Sequence, residues 1–343
     1  MSQTENKNTQ APYDIDFVIA WVDGGDPNWL AEKKKYDPGM DATVDDIAAR
    51  YRDWDNLHYW FRAVEKYAPW VHKIYFLTWG HLPSWMDTTN EKLVVVNHKD
   101  YIPAEYLPTF NSHTIELNMH RIPGLSEHFV YFNDDMFITR PVSPDYFFKN
   151  GLPCDSFILD AVYFAPDSAG AYNGNDLELI NKHFDKNECF KKNKKKIYKW
   201  MYGKKNLYRT FSLSFWPWFP GFHYDHLPTS FLKSTLEEIW EKEGDVIDAT
   251  CRDRIRSKRN VNQWLFKYWQ LASGRFEPRD PGLGRAYHLK DFPNGNLIGA
   301  LEKHRYNMVC INDTAKTTDF EKHKEAVNAA FEKLLPEKSS FEK

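Results

Sequence analysis

Apolar positions along this chain fall into unbroken β-rich runs and stretches with helical spacing, and their order predicts the fold. From Ile15 the segment IDFVIAWV is continuous enough in apolar and β-branched residues to be a strand buried on both faces. It stops at the turn Asp23-Gly24-Gly25-Asp26-Pro27. Asp16 inside that run is costly unless paired, so it either takes hydrogen bonds in the core or faces a ligand. Leu57, Trp60, Phe61 and Val64 recur at i, i+3, i+4, i+7 and predict a helix closed by Pro69. KIYFLTW and KLVVVNH, parted by a turn around Pro83, read as two further strands. Ser112 is placed to cap a helix with Ile115, Met119 and Ile122 on one face and His113, Glu116 and His120 on the other. The run Phe129, Val130, Tyr131, Phe132 then ends abruptly at Asn133-Asp134-Asp135. This alternation predicts the α/β class, with a Rossmann-like, mostly parallel sheet flanked by helices.

Beyond Phe148 the pattern weakens, and an irregular aromatic- and lysine-rich insertion is expected over about 152–224. From Lys186 to Lys205 nine lysines face only Glu188, with Asp185 just before them. Such a run is a solvated face or, beside a phosphate-handling sheet, a surface for an anionic acceptor or for the inner leaflet of a membrane. The prolines of FSLSFWPWFPGFHYDHLPTSF predict an aromatic loop that folds over the core or lines a glycan groove. Thr229 or Ser230 is placed to cap a helix carrying Leu232, Leu236, Ile239 and Trp240 and ending at Gly244, which sets His226 just before a helix start. Asn260 is placed to cap another, carrying Val261, Trp264, Leu265, Tyr268 and Trp269. The expected organisation is a disordered tail over 1–12, one catalytic body over 13–315, and a charged amphipathic helix with a frayed end over 316–343.

Composition narrows the classes. At 343 residues the chain can bury a sizeable core, and its formal charge of −3 gives no case for nucleic acid as a partner. Aromatic residues make up 16%, with 13 Trp, so rings are in surplus for a core and for stacking on sugars or bases. Cys154, Cys189, Cys251 and Cys310 have no close spacing and read as reduced core thiols of a cytosolic protein. The opening MSQTENKNTQAP lacks an apolar signal core, and no later run approaches the roughly 18 apolar residues of a membrane span, so a soluble, cytoplasmic protein is expected.

Candidate chemistry gathers at the strand tip. Asn133-Asp134-Asp135 is either a plain turn or paired carboxylates delivered to the carboxyl edge of a parallel sheet, where open α/β folds bind ligands. Hard oxygen ligands of this kind suit Mg²⁺ or Mn²⁺, which keeps its waters and shares itself with substrate phosphates. Asp134 and Asp135 leave a strand on opposite faces, so one binds and the other braces. His113, Glu116 and His120 form a polar helix face that can hold a metal or be merely hydrogen-bonded. Arg50 and Arg52 are unfavourable beside a helix start and so reach for an anion or a carboxylate. Among Arg252, Arg254, Arg256 and Arg259, one or two are placed to clamp a diphosphate. His226 can serve acid–base chemistry or be structural, and Trp21 can stack on a base or belong to the core.

IDFVIAWVDGGDP, RYRDWDNLHYWFRAVEKYAPWVHKIYFLTWGHLPSW, LPTFNSHTIELNMHRIPGLSEHFVYFNDDMF, the segment around HLPTS and RSKRNVNQWLFKYWQLASG resemble, in order, the conserved regions of the Stealth family. These are bacterial capsular polysaccharide phosphotransferases similar to the catalytic core of the eukaryotic N-acetylglucosamine-1-phosphotransferase. The resemblance implies transfer of a sugar 1-phosphate, typically N-acetylglucosamine 1-phosphate, from a UDP-sugar to a hydroxyl of an acceptor oligosaccharide or polysaccharide, with release of UMP. It assigns Asp135, His226 and Arg256 to catalysis, with the metal at Asp135, and Asp16 and Trp21 to the nucleotide-sugar pocket. Arg52, Asn111, His113, Asn133 and Asp134 are expected on the substrate. Acceptor choice falls to the unmatched stretch 152–224. The rival expectations are a metal-dependent glycosyltransferase that releases UDP and a non-catalytic glycan-binding protein.

Overall fold

The unbroken apolar runs pair with one another as strands, and alternation of side chains across them explains why they carry so few polar positions. The structure, a computed structural model, describes residues 12–37, 52–165, 169–289, 295–313 and 317–343. Eight strands frame the site: β1 (Ile15–Ala20), β2 (Ile74–Thr78), β3 (Leu93–Asn97), β4 (His128–Asn133), β5 (Met136–Ile138), β6 (Thr229–Leu232), β7 (Gly284–His288) and β8 (Met308–Asn312). The central sheet runs β3-β2-β1-β4-β6, parallel except for β6, which lies antiparallel to β4. Phe17 and Ile19 of β1 enter a core with Trp60, Phe61, Phe76 and Phe132. Val18 between them enters a second core with Tyr75, Phe129, Tyr131 and Trp269 on the opposite face. A smaller sheet, β7-β8-β5, sets Cys310 of β8 opposite Met136 of β5.

Helices cover both faces: α1 (Pro27–Lys34), α2 (Leu57–Tyr67), α3 (Ser112–Leu117), α4 (Gly170–His183), α5 (Lys186–Ile197), α6 (Lys204–Ser214), α7 (Lys233–Arg252), α8 (Trp264–Ser273) and α9 (Phe320–Leu334). Asp26 starts α1 by accepting from the amides of Asn28 and Trp29 at 2.7 and 3.0 Å, with Pro27 in the first turn where no amide is needed. The predicted stripe of α2 is buried throughout. The four cysteines are free and buried, and among the described residues no helix is long and apolar enough to cross a membrane.

Several local expectations are corrected. Asn111, not Ser112, caps α3, accepting from the His113 amide at 3.1 Å. The helix stops at Leu117 because Asn118 turns back to donate to the Thr114 carbonyl at 2.8 Å, and Met119–Arg121 continues only as a 3₁₀ turn. Thr229 and Ser230 do not cap a helix; they lie in β6, where pairing with Val130 and Tyr131 overrides local propensity. His226 therefore precedes a strand. The following helix passes Gly244 and reaches Arg252, with its break at Glu243, whose buried carboxylate meets Lys182 at 2.6 Å and also His183. Asn260 caps no helix but donates to Asp253 at 2.8 Å, and α8 starts at Trp264. The insertion is helical rather than irregular: α4 to α6 occupy most of it, and α5 buries little besides Lys186, Cys189 and Ile197, which is why its apolar period is faint. The carboxyl-terminal end is tied down, with Phe341 in the core and Arg62 donating to both Glu342 oxygens at 2.8 and 2.9 Å. Arg50 and, apart from Pro12, the expected tail lie outside the described residues.

Candidate active site

Register places the carboxyl ends of β1 and β4 side by side, Ala20 beside Asn133, and the chain leaves both strands around a cavity of about 580 Å³. Trp21, Arg52, Asn133, Asp134, Asp135, His226 and Arg256 all line it, so the structure brings these seven expected residues together. The turn after β4 is short because β5 starts at once, and the Ile311 amide of β8 donates to the Asp135 carbonyl at 2.8 Å to fix it. Within that turn Asp135 Oδ2 accepts from the Cys310 thiol at 3.2 Å and lies 3.5 Å from His226 Nε2. Asp135 Oδ1 is buried and has no hydrogen-bond partner among the described residues.

His226 arrives from the other side on a strained backbone, with φ of 45°. A non-glycine residue so held costs on the order of 1 kcal/mol or more and persists only where its surroundings over-determine it. Here those surroundings are Asp225, gripped by the buried Lys267 ammonium at 3.2 Å, and Tyr224, whose hydroxyl is hydrogen-bonded to His226 Nδ1. Burial works against charge on the His226 ring, but the Asp135 carboxylate outweighs it and the pKa is raised. Burial, reinforced by Asp135, lifts the Cys310 thiol well above its ordinary value, so it sits there as a protonated donor.

Two further carboxyls are poised to titrate near neutrality. Burial pushes Glu116 up to about 7 although the Arg256 guanidinium pulls it down, and Glu116 also interacts with His226. Enclosure by the surrounding protein, reinforced by the neighbouring Asp135 carboxylate, raises Asp134 to about 7 as well, although its side chain stays open to the cavity. Among the described residues the lining holds seven carboxyls (Asp23, Asp37, Asp53, Glu116, Asp134, Asp135, Asp313) against Lys33, Arg52 and Arg256. Lys33 pairs with Asp37 at 2.9 Å and Arg52 with Asp313 at 3.2 Å, so among the described residues five carboxyls face Arg256 and the His226 ring. A diphosphate entering so acidic a space calls for a counter-cation. Asp135, His226 and Cys310 offer ligand atoms within 4.8 Å of one another. With the thiol protonated, the atom suited to a hard cation is the unpartnered Asp135 Oδ1, with Asp134 beside it, and this donor set fits Mg²⁺ or Mn²⁺ shared with phosphate oxygens.

Three expected residues are not in the cavity. Asp16 sits at the amino end of β1, fully buried, accepting from His72 at 2.8 Å and from the Lys73 and Ser126 amides at 3.1 and 2.7 Å. It braces the opposite edge of the sheet, so of the two readings of its burial the core one holds. Asn111 is spent on capping α3 and on donating to the Asp253 carbonyl and Asn260 Oδ1, each at 3.1 Å. His113 packs behind the lining against Tyr172, and burial drives its pKa down to about 3. His113, Glu116 and His120 do not converge on a metal position among the described residues; His120 packs against Trp240 instead. Of the four arginines, Arg252 is paired with Asp248 and Arg259 with Asp253, Arg254 donates to the Glu105 carbonyl, and Arg256 alone lines the cavity. Cys310 beside Asp135 was not foreseen, and only the pairing of β5 with β8, 170 residues apart in sequence, brings it there.

Residues 13–41 match the family model described as Stealth protein CR1, conserved region 1, and residues 50–154 match Stealth protein CR2, conserved region 2. A capsular polysaccharide phosphotransferase, WcwK of Streptococcus pneumoniae, is 42% identical over 330 residues, which cover 96% of this chain and 98% of that one. The chain belongs to the Stealth family. Similar at full length are the receptor polysaccharide phosphotransferase WefC of Streptococcus oralis, 41% identical over 96% of this chain and 99% of its own, and the exopolysaccharide phosphotransferase cps2G of Lactiplantibacillus plantarum, 39% identical over 98% of each. Among solved structures, the galactosyltransferase LgtC overlaps 92% of this chain and 95% of its own at 8% identity with a TM-score of 0.38, too loose an overlap to bear on chemistry. The matched Stealth regions contain Asp134 and Asp135, whereas His226 and Arg256 lie beyond them.

Proposed function

We propose that this protein transfers a sugar 1-phosphate, N-acetylglucosamine 1-phosphate in the first instance, from a UDP-sugar to a hydroxyl of an acceptor glycan in capsule or cell-surface polysaccharide synthesis, releasing UMP. The observation that carries the reading is the meeting of Asp135, His226 and Arg256, from three distant parts of the sequence, on one cavity at the carboxyl edge of the sheet. Membership of the Stealth family and the phosphotransferase names of its full-length relatives support it.

In this reading Nδ1–H of His226 donates to the Tyr224 hydroxyl, which leaves the Nε2 lone pair, 3.5 Å from Asp135 Oδ2, to face the acceptor hydroxyl. His226 takes the proton, and the Asp135 carboxylate stabilises the imidazolium so formed. The acceptor oxygen bonds to the sugar-bearing phosphorus as the bond to the bridging oxygen breaks in line, and UMP departs with that electron pair. The glycosidic C–O bond is untouched, so the anomeric configuration survives. Arg256 offsets charge on the phosphoryl oxygens, and Trp21 packs beside the nucleotide. A divalent cation held by Asp135 and Asp134 would supply the remaining neutralisation. A phosphorylated His226 intermediate is the lesser variant, because Asp135 favours the protonated ring over the free nucleophile. We place the reaction in the cytoplasm, peripheral to the inner face of the membrane.

The test is to incubate the purified protein with a panel of UDP-sugars, Mg²⁺ and short capsule-type oligosaccharides, and to weigh the products and identify the nucleotide. A phosphosugar added to the acceptor together with UMP supports the reading. Release of UDP with a sugar lacking phosphate makes the protein a glycosyltransferase. Binding without turnover makes it a glycan-binding protein.

A further inference from the structure

The insertion turns an aromatic surface outward. The chain from α5 to α6 folds back on itself, with Lys186 at the start of α5 donating to the Ser214 carbonyl at the end of α6. The inner side of α6 is fastened to the body: Leu207 and Leu213 pack on the core, Thr210 is buried and accepts from the Leu159 amide at 3.2 Å, and Arg209 meets Asp160 at 2.6 Å. Its outer side carries Tyr208 and Phe211, followed by Phe215 at the cap, spaced i, i+3, i+7 on one stripe. The loop beyond adds Trp216 and Trp218, which are held out because Phe219 between the loop and the core exchanges hydrogen bonds of 2.9 and 3.1 Å with Asn181 of α4. These five rings are 52% to 75% exposed. A contiguous apolar surface of this kind on a well-anchored helix marks an interaction site.

Charge on the same segment says what covers it. Lys194, Lys195, Lys199, Lys204 and Lys205 are exposed and pair with no carboxylate among the described residues, and Lys204 lies 6.0 Å over the ring of Trp200, itself exposed. Aromatic rings flanked by unpaired lysines suit the headgroup region of an anionic bilayer, where rings enter the acyl boundary and ammonium groups meet phosphates. A sugar needs directional hydrogen-bond partners beside the rings, and Phe211, Phe215, Trp216 and Trp218 offer none but indole N–H donors. A second copy of this face would bring like charges together.

We propose that the outer face of α6 and the Phe215–Trp218 loop dock on an anionic phospholipid surface. The proposal gives a contact surface to the peripheral placement made above, and it does not depend on the sugar-phosphate chemistry. Only six residues separate Phe219 from His226, so docking would hold the cavity near the membrane plane.

Flotation of the full-length protein with vesicles tests it without any donor. Vesicles of phosphatidylcholine containing phosphatidylglycerol should carry the protein upward, pure phosphatidylcholine vesicles should not, and added salt should release it. Phe211→Ser with Phe215→Ser should weaken partitioning about tenfold or more, and Lys194→Gln, Lys195→Gln, Lys205→Gln together roughly a hundredfold. Thermal melting and UDP-sugar binding, measured without vesicles or acceptor, should match the wild type in both variants, which separates loss of docking from loss of the fold. Equal flotation with neutral and anionic vesicles, no flotation, or flotation unaffected by the substitutions overturns the proposal. So does a dimer in light scattering that Phe211→Ser with Phe215→Ser abolishes, or retention on a neutral glycan column that the same variant loses.

Discussion

Asp16 and Asp135 are the same residue type at opposite ends of one sheet, Asp16 at the start of β1 and Asp135 just past the end of the neighbouring β4. Asp16 is fully buried and saturated, with a histidine and two backbone amides on its oxygens. Asp135 is partly open, with one oxygen against a thiol and an imidazole and the other without a partner among the described residues. Burial alone therefore does not separate a structural carboxylate from a working one. A buried acid whose hydrogen bonds are all made is finished, whereas one left under-coordinated beside a titratable ring can still bind a cation or move charge.

The sharpest way to break this comparison is to remove each carboxylate in turn. Asp135→Ala and His226→Ala should each lower the turnover of sugar-phosphate transfer by about 10³-fold, with thermal melting at pH 9 little changed. Asp16→Ala should do the reverse, lowering stability by about 3 kcal/mol in urea unfolding, because three donors lose their acceptor, while the folded fraction keeps its affinity for nucleotide sugar. If Asp16→Ala folds normally and loses the nucleotide, the two acids have been assigned to the wrong ends.

The sequence announces the acids differently from the way it announces their settings. β1, β2, β4 and α2 are legible because each buries a continuous run or a clean helical stripe, β3 because its run is apolar though only partly buried, and Asn133-Asp134-Asp135 because it ends such a run. The strand at Thr229 is not, since TSFL reads equally as a helix start until β4 offers it an edge. Asp16 and Asn111 stand in matched family motifs, yet their contacts with Ser126 and Asn260 come from segments more than 100 residues away. Motif membership flags such positions without distinguishing scaffold from site. Cys310 carries no local signal at all, because its meeting with Asp135 is a product of β8 lying against β5.

A pH profile sharpens the contrast further. His226 titrates above its ordinary value of 6.5 because of Asp135, so a reaction that needs the neutral ring should fall as pH drops through that raised pKa. In Asp135→Asn burial prevails, and the acid limb of residual kcat/KM should move to lower pH. The stability sign runs the other way. The pairing contributes fully below 6.5 and is lost as pH rises through the folded pKa, so Asp135→Asn should lose melting temperature at pH 6 and little at pH 9. An unmoved acid limb would mean that another group controls it.

Glu116 gives the smallest and most diagnostic effect, since it is buried like Asp16 yet faces the cavity like Asp135. Its carboxyl is raised from 4.5 to about 7, so its contribution to stability is complete below 4.5 and disappears as pH climbs through 7. At pH 8 the folded protein holds an ionised group that burial disfavours and Arg256 offsets only in part. Glu116→Gln keeps the shape and an acceptor oxygen but cannot ionise. It should match wild type in urea unfolding at pH 4 and exceed it by about 1–2 kcal/mol at pH 8, while weakening the hold on Arg256 and hence the transfer rate. Equal stability of the two proteins at both pH values would place Glu116 with Asp16, among acids whose surroundings already satisfy the charge. The electrostatic strain of the cavity would then reside in Asp134 and Asp135 alone.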